Sequence, residues 1–469
     1  MNLWVEFVRC AYALRSACRR KRTFLWMVVV LVAWAARPDL LGVTSFIRAS
    51  FLEPTNYPLL LNLFHSRALV LDLLLELWVT FVMRHFNPVT AGGYTVFVAD
   101  GLKVAKEGKK MPGVKCLHQE SENNSKAEFI MGHSSQVVSL LATSPTGQSI
   151  AVPLLSRICE GLLDKRQRPR KSLLDKLAGM FLDVVHIAGV SALLVADAYY
   201  ASRKVILPLL DKGHHLISRV RRNAVAYRPA EQPKTRKRGR PKKYGPKVRL
   251  RDLFKASGAF IEAPSPVYGE NGVSIQYRSV DLLWRPVGRL VRFVLVKHPS
   301  RGTLVLLSTA LSIDPLTIIM IYGLRFKIEV SFKQSLHTLG GYAYHFWMRD
   351  MTPIKWGSKG QRVDNRSLNY QQAVARKLDA YHRYIQLGCI VQGLLLHLAV
   401  NLREAVWAKL RTWLRTMKPD LVPSELVVAH ALRASLPEFL LASADESELT
   451  KFILDRADCG RIPGLNMAA

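Results

Sequence analysis

An α/β fold built on a mixed sheet with flanking helices is what this sequence predicts, and three observations carry that expectation. Short β-rich runs occur at Tyr94–Asp100, Gln136–Thr143, Ser149–Leu155, Val190–Ala198 and His214–Val220. Helical stretches flank and separate them, the clearest being Lys171–Ile187, with Leu173, Leu174, Leu177, Phe181, Val184 and Val185 on one face. Two of the apolar runs end alike, in Val-Ala-Asp, at Asp100 and at Asp197.

Taken in order, residues 1–92 read as helices broken at Pro38, Pro54, Pro58 and Pro88. Phe24–Ala36 (FLWMVVVLVAWAA) follows four basic residues, as a signal peptide would, but no small-residue cleavage site precedes Arg37 and Asp39. It is also short of the roughly 20 apolar residues that span a bilayer. It is read as a core helix, as is Ala68–Met83, which Asp72 and Glu76 interrupt; no membrane is expected as a partner. From 94 to 220 the order is three strands, helix, strand, helix, strand. A hairpin through Ser-Pro-Thr-Gly-Gln thus feeds a βαβ unit. The all-apolar Val190–Ala198 fits a strand buried on both faces.

Residues 219–251 hold 14 Lys or Arg and one acid, Glu231. Such a stretch reads as an exposed loop or arm. Strand-like runs return at Ser274–Leu283, Val291–Lys297 and Thr303–Thr309. Pro315–Leu339 is helical, and after a polar loop at Thr352–Asn369 the helices Leu378–Leu410 and Pro423–Leu441 follow. The domain reading is a helical N-terminal region (1–92), the first part of a core (93–222) and a basic β-rich insertion (223–312). A core helix (313–345) and a helical C-terminal region (346–469) complete it.

The 469 residues carry 67 Lys plus Arg against 35 Asp plus Glu, a formal charge of +32, with 49% hydrophobic residues. That content excludes a disordered basic tail, and the charge asks for a polyanionic partner, nucleic acid first. The tail differs: from Asp420 onward eight acids face four bases. Six scattered cysteines make no C-x-x-C pair and no Cys/His ligand spacing, which fits a reducing cytoplasm and argues against structural zinc. His118, His133, His186, His214 and His215 form no H-x-x-x-H pair and are read as structural.

Spacings of 3, 4 and 4 place Tyr322, Arg325, Glu329 and Lys333 on one face of the 315–339 helix. That face is either a solvated ladder of ion pairs or, if Ile321, Leu324, Ile328 and Phe332 pack on the sheet, the carrier of a third acid toward Asp100 and Asp197. Three carboxylates without Cys or His suit hard cations, Mg²⁺ or Mn²⁺. Two such ions about 4 Å apart can activate a hydroxyl and stabilise a leaving oxygen at a phosphodiester.

These residues resemble the DDE transposases of bacterial insertion sequences, in the cut-and-paste, IS-four-like group with a Tyr-Arg-Glu-Lys signature. The carriers are VFVADG at 96–101, LLVADAYY at 193–200 and YGLRFKIEVSFK at 322–333, the acids standing 97 and 132 residues apart. The resemblance implies a ribonuclease-H-like core split by the insertion. It makes Asp100, Asp197 and Glu329 the catalytic and metal-binding triad for two Mg²⁺ (or Mn²⁺) ions. Tyr322 and Arg325 match the first two signature positions and imply DNA contacts. The signature Lys falls seven residues after the Glu, where this chain has Leu336; Lys333, one turn earlier, takes its place.

The resemblance further implies double-stranded DNA, transposon ends and target, as partner, cut by water and joined through the freed 3′-hydroxyl. The N-terminal helices would read the ends, and the tail would pair protomers in a synaptic dimer assembled on DNA, in the cytoplasm at the nucleoid. Relatives that pass through a hairpin stack a flipped base on a Trp before the glutamate helix; Gly302–Thr309 has none, and Trp284 is read as core. Lys106 and Lys109 belong to a Gly-containing basic loop that either holds phosphates or is merely solvated. Arg236, Arg238, Gly239, Arg240, Pro241, Lys242 and Lys243 resemble an AT-hook for the narrow minor groove. The rivals are a ribonuclease-H-fold nuclease that cuts without joining, and an AT-hook DNA-binding protein whose acids are relics.

Overall fold

The computed structural model describes residues 2–119, 127–163, 171–231, 242–442 and 447–463. In chain order, helices α1 (Leu3–Tyr12), α2 (Lys21–Ala36), α3 (Thr44–Ala49), α4 (Tyr57–His65) and α5 (Leu71–His85) come first. Strands β1 (Tyr94–Ala105), β2 (Lys115–His118), β3 (Phe129–Thr143) and β4 (Ser149–Ile158) follow. Then come α6 (Leu173–Ala188), β5 (Ala192–Ala196), α7 (Arg203–Asp211) and β6 (His215–Val220). The next strands are β7 (Val225–Pro229), β8 (Tyr244–Arg249), β9 (Ile261–Pro264), β10 (Ser274–Trp284), β11 (Arg289–His298) and β12 (Gly302–Ser308). Helices α8 (Pro315–Gly323), α9 (Lys327–Lys333), α10 (Leu368–Asn401), α11 (Arg403–Lys409), α12 (Glu425–Ala442) and α13 (Glu448–Leu454) close the chain.

The chain divides into two compact units, one of Met1–Asn87, Gly101–Arg170 and Val330–Ala469, the other of Pro88–Asp100 and Lys171–Glu329. In the first unit the helical regions read from the sequence at the two ends share one core. Trp4 donates its indole N–H to Leu432 O at 3.0 Å, and Trp34 to Leu339 O at 2.7 Å. Helix α2 is buried from Phe24 through Ala36, as its uniform apolarity demands. Around α10 pack α1, α2, α4, α5, α12 and strand β4. Helix α10 is long and apolar enough to cross a membrane, yet 89% of its apolar window is buried inside the protein. It begins at Leu368, ten residues earlier than its apolar pattern suggests, under the cap of Ser367, whose hydroxyl accepts from the Tyr370 N–H. The antiparallel strands β2, β3 and β4 complete this unit.

The second unit is a mixed sheet in the order β1, β5, β6, β12, β11, β10, β7, β8, with β9 added beside β10. Strands β1, β5 and β6 are parallel, and β12 joins β6 antiparallel, Ser308 opposite Ile217. Every residue of β5 is buried, as expected of a strand covered on both faces. Helix α6 starts on a capping box, Ser172 with Asp175, and stops at Gly189, whose φ of 64° is the left-handed conformation glycine adopts without strain. It packs on the sheet through Phe181 against Phe97, ring centroids 5.9 Å apart. The six strands between Val225 and Ser308 continue this one sheet, with Arg292 bidentate on its cross-strand partner Asp281 at 2.9 Å. Trp284 is buried.

Two elements differ from the sequence reading. Strand β1 does not end on Asp100 but runs to Ala105, its burial changing there from continuous to alternating. The 315–339 helix is not uniform: α8 gives way to a 3₁₀ turn at Leu324–Phe326, then α9, then a π-helical turn at Gln334–Thr338. Gly323, a poor helix former packed close to Val267, sits at the first break.

Candidate active site

All three predicted acids belong to the second unit. The register sets the first two side by side. Strand β1 pairs with β5 as Thr95 with Ala192 through Val98 with Val195, an offset equal to that between Asp100 and Asp197. Asp197 follows the last residue of β5, and its carbonyl accepts the hydroxyl of Ser218 from β6 at 2.9 Å. Both acids are half-buried.

The third acid arrives on the helical segment. Asp314 caps α8 by accepting from Thr317 N–H at 2.9 Å, with Pro315 at the first helical position. The apolar side of the segment, Ile318, Ile321, Leu324 and Ile328, is buried, and α8 lies against β6, β10, β11 and β12. That orientation presents Arg325 to the acids. Its Nη1 donates to Asp100 Oδ2 at 3.0 Å and its Nη2 to Glu329 Oε1 at 2.7 Å, so one guanidinium lies between two carboxylates. Burial works against the Arg325 charge, but Tyr322, Asp100 and Glu329 hold its pKa above the ordinary arginine value. The Tyr322 phenol is raised by burial, with Asp197 adding to the effect and Arg325 and Arg219 opposing it. Arg219, exposed on β6, is a neighbour of this site that the sequence reading missed.

Beside α8 a cavity of about 460 Å³ is lined by Tyr268, Arg301, Tyr322, Arg325 and Phe326, among others. Two guanidinium groups and three aromatic rings around that space suit a phosphate with an attached base. Lys333 is exposed at the end of α9.

The basic loop after β1 divides. Lys109 is exposed, but Lys106 is buried, donating to the carbonyls of Tyr342 and Tyr344 and lying 3.8 Å from the centre of the Tyr344 ring. Its ammonium is thus spent inside the first unit and does not reach a phosphate. Lys242 is exposed and Lys243 is likewise exposed beside β8. The remainder of the AT-hook-like stretch, Arg236, Arg238, Gly239, Arg240 and Pro241, lies outside the described residues. Of the histidines read as structural, His133 is buried between Tyr344 Oη at 2.7 Å and Pro112 O at 2.9 Å.

The acids form an oxygen-only donor set, and two of them already share a positive charge, which fits a hard divalent cation. They are not drawn together as one-ion ligands: among the described residues only Glu6, Cys10 and His397 place three such ligand atoms within 4.8 Å of one another. The family model described as DDE superfamily endonuclease matches residues 66–259. That stretch takes in Asp100 and Asp197 and ends before Glu329, and it supports a DDE-type transposase or nuclease. The mixed α/β sheet is consistent with the ribonuclease-H-like fold of such enzymes. No curated protein matches the chain.

Proposed function

We propose that this protein is a DNA transposase that binds the terminal inverted repeats of its own element, cuts there and joins the freed end to target DNA. The observation that carries this reading is Arg325 bridging Asp100 and Glu329 next to Tyr322, with Asp197 in register beside Asp100. Asp100, Asp197 and Glu329 would hold two divalent ions, Mg²⁺ or Mn²⁺, which when bound activate a water or 3′-hydroxyl and stabilise the leaving oxygen.

In the resting protein Arg325 offsets one of the two negative charges of Asp100 and Glu329. On DNA it is placed to pass from carboxylate to phosphate, where its planar fork binds two oxygens at once. Tyr322, Arg219 and the exposed Lys333 and Lys109 supply further phosphate contacts, and the overall charge of +32 draws the duplex in. Joining needs two ends together, so the active species is a dimer assembled on DNA, in the cytoplasm at the nucleoid.

The test pairs end binding with strand cleavage and joining. Asp197→Asn should abolish metal-dependent cleavage while leaving end affinity within a few-fold of wild type. Wild-type cleavage without any joined 3′-hydroxyl product would favour the nuclease that the family description names, and wild-type binding without cleavage would leave a DNA-binding relic. Unchanged cleavage by Asp197→Asn would remove the triad assignment.

A further inference from the structure

Helix α1 carries Glu6 and Cys10 four residues apart, hence on one face, and that face meets His397 of α10, 391 positions from Glu6 in the chain. All three are buried, the Glu6 and His397 side chains 4% and 5% exposed. Nothing in the proposed reaction uses them. We infer that Glu6, Cys10 and His397 form a site for one structural zinc ion that pins the first helix of the chain to its longest one.

The geometry is that of a ligand set. Glu6 Oε1 lies 3.0 Å from His397 Nε2 and 3.4 Å from Cys10 Sγ, and all three ligand atoms fall within 4.8 Å of one another. In a tetrahedral zinc site, bonds of about 2.0–2.1 Å to N and O and about 2.3 Å to S give ligand-to-ligand edges of about 3.3–3.5 Å. The two carboxylate spacings lie within a few tenths of an ångström of that scale. The donor types match as well: a soft thiolate and a borderline imidazole, with one hard carboxylate, favour borderline zinc over magnesium or calcium. Zn²⁺ with a thiolate, a carboxylate and a neutral imidazole sums to zero, and the one charge beyond that, Arg9 on Glu6, sits on a side chain that is 63% exposed to water.

Outer partners fix the ligands. Arg9 holds both Glu6 oxygens, Nε on Oε2 at 2.8 Å and Nη2 on Oε1 at 2.6 Å, and the Asn401 amide NH₂ faces His397 Nδ1 at 3.1 Å and His397 O at 2.9 Å. His85 packs edge-on against His397, ring centroids 5.4 Å apart. Without metal the cluster survives as a hydrogen-bonded set. Burial, with Glu6 adding, pushes the Cys10 thiol up to about 12, so it stays protonated. Metal uptake releases that thiol proton to solvent and moves the imidazole proton from Nε2 to Nδ1, which requires the Asn401 amide to turn its oxygen toward the ring in place of its nitrogen.

The inference is independent of the transposase reading, and metal content tests it directly. Full-length protein purified without chelator should contain close to one zinc per chain. After chelation, Co²⁺ added with excess Mg²⁺ to occupy the acid site should restore one equivalent, with a thiolate-to-cobalt charge-transfer band and the visible bands of a tetrahedral ion. Cys10→Ser should lose the charge-transfer band, and Cys10→His should keep one bound ion without it. Wild-type protein that is folded by circular dichroism yet takes up no zinc or cobalt would overturn the site. So would a charge-transfer band that persists in Cys10→Ser.

Discussion

Arg325 donates to Asp100 at 3.0 Å across 225 positions of sequence. With Glu329 on its other nitrogen, it holds an acid from the start of the sheet and an acid from the end of the helical segment to the same group. Two carboxylates facing a common space repel, and the guanidinium between them removes that cost in the absence of any other cation.

Replacing this cation should therefore separate binding from chemistry. Arg325→Gln is expected to lower single-turnover end cleavage by about 10²-fold or more, the usual size for loss of a preorganised charge at a reacting centre. End affinity should change less than about tenfold, since one phosphate contact of several is lost. Arg325→Lys should recover part of the rate, because it keeps the charge and loses the fork. Cleavage by Arg325→Gln at the wild-type rate would detach Arg325 from the reaction.

Salt dependence measures how much of the charge meets DNA. With about six to eight phosphates contacted, log K against log salt should slope at about −5 to −7. Deleting 232–241, which holds five of the basic residues, should make the slope shallower by up to about 4. A wild-type slope near −1 would assign the charge to some other purpose.

Lys106 makes stability depend on pH. Burial lowers its pKa from 10.5 to about 7. The folded state thus releases this proton near pH 7, while the unfolded chain keeps it to about 10.5. Between those values the unfolded state binds more protons, so stability rises with pH, by at most about 5 kcal/mol for a shift of this size. Below pH 7 both states are protonated and the full penalty of the buried charge remains. Lys106→Met should flatten that rise when denaturant melts are compared at pH 7 and pH 10, and a parallel rise in both proteins would contradict it.

Gly393, in the middle of α10, is a place where two effects oppose. Alanine is a better helix former by about 1 kcal/mol. A Cβ there, however, would lie 2.2 Å from the ring of Trp78, which is fully buried and tied through its indole N–H to Pro153 O at 2.9 Å. Overpacking of about 1–3 kcal/mol or more should win, so Gly393→Ala is expected to lower the thermal midpoint. A raised midpoint would show that the ring can move.

What was legible in the sequence follows from locality. Helix α2 and strand β5 are uniformly apolar, and each is buried along its apolar length. The Val-Ala-Asp repeat marked two acids at strand ends, and the pairing of β1 with β5, at an offset equal to the spacing of the acids, came only with the structure. Strand β3 was read only from Gln136, although it begins at Phe129. Its early residues Gly132, His133, Ser134 and Ser135 look like loop, and only His133's bonds to Tyr344 and Pro112 explain its burial. Lys106 stands in a stretch, Lys-Glu-Gly-Lys-Lys, that reads as solvated, and its burial depends on carbonyls more than 230 positions away. Glu6, Cys10 and His397 were invisible for the same reason: a spacing rule sees one helix, and this set needs two.

The sheet of the second unit also acts as a ruler. From β5, which delivers Asp197, to β8 there are six strand-to-strand steps, and at about 4.8 Å each they amount to roughly 29 Å. The basic segment leaves the sheet at Pro229 and returns at Tyr244, on the last two of those strands. At about 3.4 Å per base pair, that offset corresponds to some eight base pairs of duplex. If the proposed function holds and this segment contacts DNA as well, a DNA end cut at Asp197 would carry that second footprint nearly one helical turn inward.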